Sequence, residues 1–195
     1  MQKLTGLERL LKTIKLEEPD VVPHFEPGTD PKVVDAILPG ASYEDLVEYL
    51  DLDGMFIYDK SDSWKYEVID TSKRIYRNEW GGAVRFMEEL DGHPVEAAIK
   101  SEKELDAYMP PDPDLRWRYK AVERAVKRFK GEKAVIVWVS DPFTVARDWV
   151  LGDVAYFKAM IKNPDLIDRV NDVVTNYQLR YEKNCLDIGA DIIFT

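Results

Sequence analysis

Two residues apart in the segment VVPHFE, His24 and Glu26 place an imidazole and a carboxylate on one side of an extended chain. If that side looks into a pocket, the pair can move a proton or ligate a metal. Two donors are too few for a specific zinc signature, and a packed or hydrogen-bonded wall histidine is the competing reading. A second group, Asp59, Lys60 and Asp62, follows the apolar run Gly54–Tyr58. Here a catalytic carboxylate at Asp59 competes with a loop or helix-cap carboxylate. A third, Asp141, follows the apolar run AVIVWV, and Pro142, Phe143 and Thr144 then open a helical stretch. Free amides at a helix start stabilise a carboxylate, so capping competes with chemistry at Asp141. Trp80 in NEWGG, with Trp64, Tyr76 and Phe86, forms either an aromatic lid suited to planar apolar substrates or a small core under hairpins. The single cysteine, Cys185, lies on the apolar face of a long helix and reads as a packed thiol, while His93 in DGHP reads as exposed.

The elements that must position these groups alternate. A helix capped by Thr5 and Glu8 carries Leu7, Leu10, Leu11 and Ile14 on one face. The run Val21–Phe25 has the length of a strand, and helices from Asp30 to Leu38 and from Ser42 to Leu50 follow. Gly54–Tyr58 is a second strand. Residues 64–99 change texture to short alternating pieces with turn signals at Gly81-Gly82 and Asp91-Gly92, an antiparallel hairpin insertion. A Pro- and Asp-rich connection, YMPPDPD, leads to a helix over 115–130. Ala134–Val139, β-branched and apolar on both faces, fits an interior parallel strand. A helical stretch to Val150, a helix starting at Asp153, and the longest helix, from Asn163 to Gly189, precede a last strand, Ala190–Phe194. Without the hairpins the order is helix, then β-α-β-α-β-α-β, which calls for a parallel sheet with right-handed crossovers.

Composition narrows the partners. The chain has 195 residues, 27 Lys+Arg against 37 Asp+Glu, and a formal charge of −10, which argues against nucleic acid or an anionic membrane as the main partner. The one basic stretch, 116–133, sits opposite an apolar stripe and reads as a solvated helix face. No apolar run is long enough to span a bilayer, and the charged N-terminal segment is not a signal peptide. A lone cysteine fits a reducing cytoplasm.

Several segments together resemble the uroporphyrinogen decarboxylase superfamily, which includes cobamide-dependent methyltransferases. ERLLKTIKLEEPDVVPHF is similar to the family's opening helix and first strand, and NEWGGAVRF to the D-E-W-G hairpin of the methyltransferase-like branch. YMPPDPD resembles the connector, SDPFTVARDWVLG the G-P-F-T-L-A motif, and the stretch from NPDLIDRV to DIIFT the long helix and fourth strand. The resemblance implies a (β/α)8 TIM barrel with reactive groups at the C-terminal strand ends. Within it, residues 1–195 would be the N-terminal half of one barrel domain, with four strands and the 64–99 insertion. Decarboxylases of the family carry R-Q-A-G-R after the first strand and a phenylalanine-serine-aspartate motif after the second. This chain has HFEPGTD and YDKSD there, with Lys60 at the aspartate's place, a poor receptor for a substrate with many carboxylates.

The implied activity is methyl transfer between a small methylated substrate, such as a methoxylated aromatic or methyl thioether, and a corrinoid on a partner protein. His24, Glu26 and Asp59 are the expected catalytic groups. Lys60, Trp80, Asp141, Phe143 and Thr144 are expected to bind substrate, the last two by resemblance alone. Zinc would activate the methyl donor or acceptor, its His-x-Cys and Cys ligands belonging beyond residue 195, and none of the present residues is assigned to metal. The alternatives are a uroporphyrinogen decarboxylase acting on a tetrapyrrole without a cofactor, and an inactive half-barrel that works by assembly into a homo-oligomer. A fourth strand at the chain end would leave an open apolar edge, so the length reads as about half a domain.

Overall fold

The structure is a computed structural model that describes residues 3–58, 65–87 and 92–195. In chain order it contains α1 (Gly6–Ile14), α2 (Pro31–Ile37), α3 (Tyr43–Tyr49), β1 (Gly54–Tyr58), β2 (Glu67–Asp70), β3 (Ile75–Arg77), β4 (Ala83–Phe86) and β5 (Gly92–Glu96). There follow α4 (Glu102–Asp106), a 3-10 turn (Arg116–Tyr119), α5 (Lys120–Phe129), β6 (Ala134–Trp138), α6 (Pro142–Val145), a π-helix (Ala146–Leu151), α7 (Asp153–Lys162), α8 (Pro164–Ile188) and β7 (Ile192–Phe194). The chain forms two compact units: 1–63 with 116–139 and 182–195, and 64–115 with 140–181.

The first unit is built on a parallel sheet of order β1-β6-β7. Gly54 pairs with Ala134, Phe56 with Ile136 and Tyr58 with Trp138, and the register continues from Ile136 to Ile192 and from Trp138 to Phe194. One face of this sheet grades from small to large. Gly54 and Ala134 lie at the N-terminal end, Phe56, Ile136 and Ile192 in the middle, and Tyr58, Trp138 and Phe194 at the C-terminal end. Leu10 of α1 enters at the small end and is buried with Phe56, Ala134 and Ile136. A Cβ on Gly54 would come within 2.7 Å of Ile136 and 3.2 Å of Leu10, so the glycine makes room for the helix. The helix comes equally close at Gly6, where a Cβ would meet the Asp53 backbone oxygen at 2.6 Å. Helices α3 and α5 pack on the sheet as well, and Cys185 of α8 is fully buried, the packed thiol expected of that face.

Val21–Phe25 differs from expectation: it forms no strand, which leaves three parallel strands among the described residues. Pro23 has no N–H to give to a ladder. The next amide, His24, donates to the Asp53 carboxylate at 2.7 Å, and Asp53 N–H donates back to the His24 carbonyl, also at 2.7 Å. Val21 and Val22, read as strand core, are exposed.

The second unit holds the expected hairpins as an antiparallel sheet of order β2-β3-β4-β5. The β3–β4 turn uses the expected glycines: Gly81 has φ +89°, and the Asn78 side chain accepts from Gly82 N–H at 3.1 Å. Asp91 lies outside the described residues. Beyond β5, Ala98 and Ile99 donate their N–H groups to the carbonyls of Trp149 and Val150 in the π-helix, at 3.2 and 2.9 Å. The helical stretch expected to Val150 is thus α-helical to Val145 and a π-helix beyond, and its wider turn offers carbonyls to the end of the sheet.

Candidate active site

In a parallel α/β sheet, chemistry belongs to the C-terminal strand ends. In the first unit those ends are Tyr58, Trp138 and Phe194, neighbours in the register of three strands. The Tyr58 ring meets Trp138 edge to face at 4.8 Å. Phe56, one layer below, meets Tyr58 at 5.4 Å and Phe194 at 5.9 Å, and Phe25 stacks on it at 6.2 Å. Phe194 is half exposed, so the array has an open side. Sequence reasoning named the polar groups that follow each strand and passed over the strands' own last residues. The signal was present nonetheless: each of the three strands ends in an aromatic residue.

His24 and Glu26 are brought together, Nε2 to Oε1 at 3.0 Å, and both are exposed. In this extended segment Phe25 takes the side that packs against Phe56, so its neighbours on either hand point the other way. His24 is hydrogen-bonded level with Asp53, the residue before β1 begins. The loop is held from outside by Tyr43, whose hydroxyl donates to the Glu26 carbonyl at 2.6 Å. Burial pushes that phenol up to about 12. Asp59 and Lys60 lie outside the described residues, as does Trp64.

The remaining candidates belong to the second unit. Asp141 caps α6, its carboxylate accepting from Thr144 N–H at 2.9 Å. Burial pushes this carboxyl up, but the bonds from Thr144 and the nearby Arg147 charge outweigh it, so Asp141 titrates below its ordinary value. It is therefore ionised at neutral pH and acts as an acceptor, not an acid. Phe143 is partly exposed beneath the Arg147 guanidinium, 4.7 Å from its ring centre, and meets Tyr156 at 5.4 Å. Gln178 donates to the Ser140 carbonyl and so holds the turn that precedes Asp141. Trp80 is buried at 1% exposure, packed edge to face on Tyr177 at 4.8 Å, with its carbonyl accepting from the Tyr108 hydroxyl at 2.7 Å. It occupies a core under the hairpins, the packing alternative read for it above.

Zinc was the expected cofactor, and the described residues do not fit it. No three His, Cys, Asp or Glu side chains converge among them, and His24 and Glu26 spend their facing atoms on each other. No helix of the described residues is long and apolar enough to cross a membrane.

The alternation of parallel strands and helices, with an antiparallel insertion, defines an α/β fold of the TIM-barrel type. A methyltransferase from Methanosarcina mazei shares it, with a TM-score of 0.70 and 17% identity over 97% of this chain and 58% of that one. This chain thus spans little more than half the length of that protein. The family model for uroporphyrinogen decarboxylase (URO-D) matches residues 78–195, and the chain belongs to that family. Comparison with curated protein sequences gave no match. The superfamily resemblance carried by NEWGGAVRF and the segments after it is borne out.

Proposed function

We propose that this protein acts as a methyltransferase of the URO-D family, moving a methyl group between a small methoxylated aromatic and a corrinoid on a partner protein. The observation that carries the reading is the in-register set Tyr58, Trp138 and Phe194 at the strand ends, open beside Phe194. Such rings hold a flat apolar body by dispersion and edge-to-face contact and exclude water around it. A tetrapyrrole with many carboxylates calls instead for arginines, and the segment HFEPGTD beside β1 has none. The fold shared with a methyltransferase supports the same choice.

When the ether bond breaks, the aryl oxygen leaves with the electron pair and requires a proton. Asp59, next after Tyr58 in the chain, is the proposed donor, and Lys60 the charge that steadies the oxygen. Substrate contacts by Asp141, Phe143 and Thr144 rest on the family resemblance and complete the proposal. Decisive is an assay of the protein with 2-methoxyphenol and a reduced corrinoid protein, following catechol release and the methyl-corrinoid spectrum. Methyl transfer, lost in Asp59→Asn, is expected. Carbon dioxide release from uroporphyrinogen without methyl transfer would overturn the reading.

A further inference from the structure

The Tyr58 ring is held from two directions. From the sheet, Trp138 and Phe56 meet it edge to face, at 4.8 and 5.4 Å. Backbone meets it as well: a Cβ on Gly28 would come within 2.7 Å of Tyr58 Cε2 and 3.3 Å of Cδ2. Gly28 has φ +93°, so this position calls for glycine twice, once for its backbone and once for the ring. The turn that brings it there is short. Pro27 fixes its own φ, and Gly28 N–H donates to the Glu26 carbonyl at 2.8 Å. That carbonyl also accepts from the Tyr43 hydroxyl at 2.6 Å, and Gly28 N–H lies beside the same hydroxyl. Tyr43 is the first residue of α3, which Ser42 and Asp45 cap and which buries Leu46 and Val47. Arg128 of α5 grips Asp45 and Glu48 of that helix, both at 2.7 Å. A braced helix, a phenol, a three-residue turn and the Tyr58 ring thus form one line of contact within the first unit.

We propose that Gly28 and Tyr43 are positioning residues that hold the Tyr58 ring in the attitude at which it receives an aromatic substrate. Their role rests on the reading of the strand ends as an aromatic site. A ring supported from the sheet alone would turn about its side-chain torsions, and binding would lose free energy to ordering it. With Gly28 against it, the ring is ordered before the guest arrives. Tyr43 supplies the stiffness, because its hydroxyl ties the turn to a helix that cannot shift without breaking its ion pairs. Any side chain at position 28 must push the ring or the turn away, and Trp138 already stands in close contact on the sheet side.

Equilibrium dialysis of 2-methoxyphenol against the 195-residue chain tests this through a double-mutant cycle. Tyr43→Phe should raise the dissociation constant roughly threefold, and Gly28→Ala roughly tenfold. In the Tyr58→Leu background, where no ring is left to hold, each should change it by less than about twofold. A turn that merely stabilises the chain would act alike in the two backgrounds. Should Gly28→Ala fail to fold, the conservative Tyr43→Phe decides by itself. Equal effects in the two backgrounds overturn the positioning role, as does a Tyr43→Phe variant that binds like the wild type. A wild type that does not bind overturns the aromatic reading of the site, and the positioning role with it. Binding that obeys the cycle without methyl transfer to the corrinoid protein removes the reaction and upholds the positioning role.

Discussion

The two ends of the parallel sheet are built from different chemistry. At the N-terminal end, the residue before each of two strands is an aspartate whose carboxylate takes a backbone amide from its neighbour: Asp53 from His24 at 2.7 Å and Asp191 from Val135 at 2.9 Å. Each carboxylate is also paired with a cation. Arg9 clasps Asp53 and, at 2.6 Å, Asp20, and Lys130 holds Asp191 at 2.7 Å and the Gly189 carbonyl at 2.6 Å. Lys133 adds a bond to the Leu52 carbonyl at 2.6 Å. At the C-terminal end the corresponding positions hold Tyr58, Trp138 and Phe194. Ionic clasps fix where strands begin, and rings line where they finish. One end therefore anchors the strands and the other carries the recognition proposed above, the division expected of barrel sheets.

That division breaks if substitutions at the two ends have similar consequences. The largest effect is expected from Arg9→Met. It leaves Asp53 buried beside the sheet without its cation, a loss of roughly 3–5 kcal/mol measured by urea unfolding. The fraction still folded should bind an aromatic probe normally. Next comes Trp138→Leu, which keeps an apolar filling and should cost less than about 1.5 kcal/mol of stability. Its dissociation constant for 2-methoxyphenol, from tyrosine and tryptophan fluorescence, should rise roughly three- to tenfold through the lost ring contacts. Equal binding in the two variants would refute the division.

The smallest effect is on acid unfolding. The hydrogen bond from Arg9 holds the Asp20 carboxyl well below its ordinary 3.8. A depressed folded value means stability that is fully present above 3.8 and is lost as pH falls through the folded value. Melting temperature against pH should thus slope downward below pH 3.8 in the wild type, more gently in high salt, and lose part of that slope in Arg9→Met. Trp138→Leu should keep the slope.

Much of the fold was legible because its signals are local. The capping box of Thr5 and Glu8, the β-branched run AVIVWV and the 3–4 spacing of the long helix each fix an element without help from elsewhere. VVPHF failed because its composition is that of a strand while its pairing was taken over by a distant side chain, Asp53, which no local pattern encodes. The helical stretch to Val150 was legible, but not its wider turn, which serves amides about fifty residues away, at Ala98 and Ile99. For the site, its place at the strand ends was readable, and the ring array there was not. Polar groups drew the attention, whereas the register that aligns Tyr58, Trp138 and Phe194 exists only in the folded sheet.

The interleaving of the two units has a consequence for synthesis. The second unit draws on residues 64–115 and 140–181, while the first also needs 182–195, where β7 resides. Chains emerge from the ribosome N-terminus first, so the unit that begins earlier finishes later. Until β7 arrives, β6 presents a bare, apolar hydrogen-bonding edge to its surroundings. For the time needed to translate α8, the nascent chain is at its most exposed to wrong pairing, and it is there that a chaperone would find it.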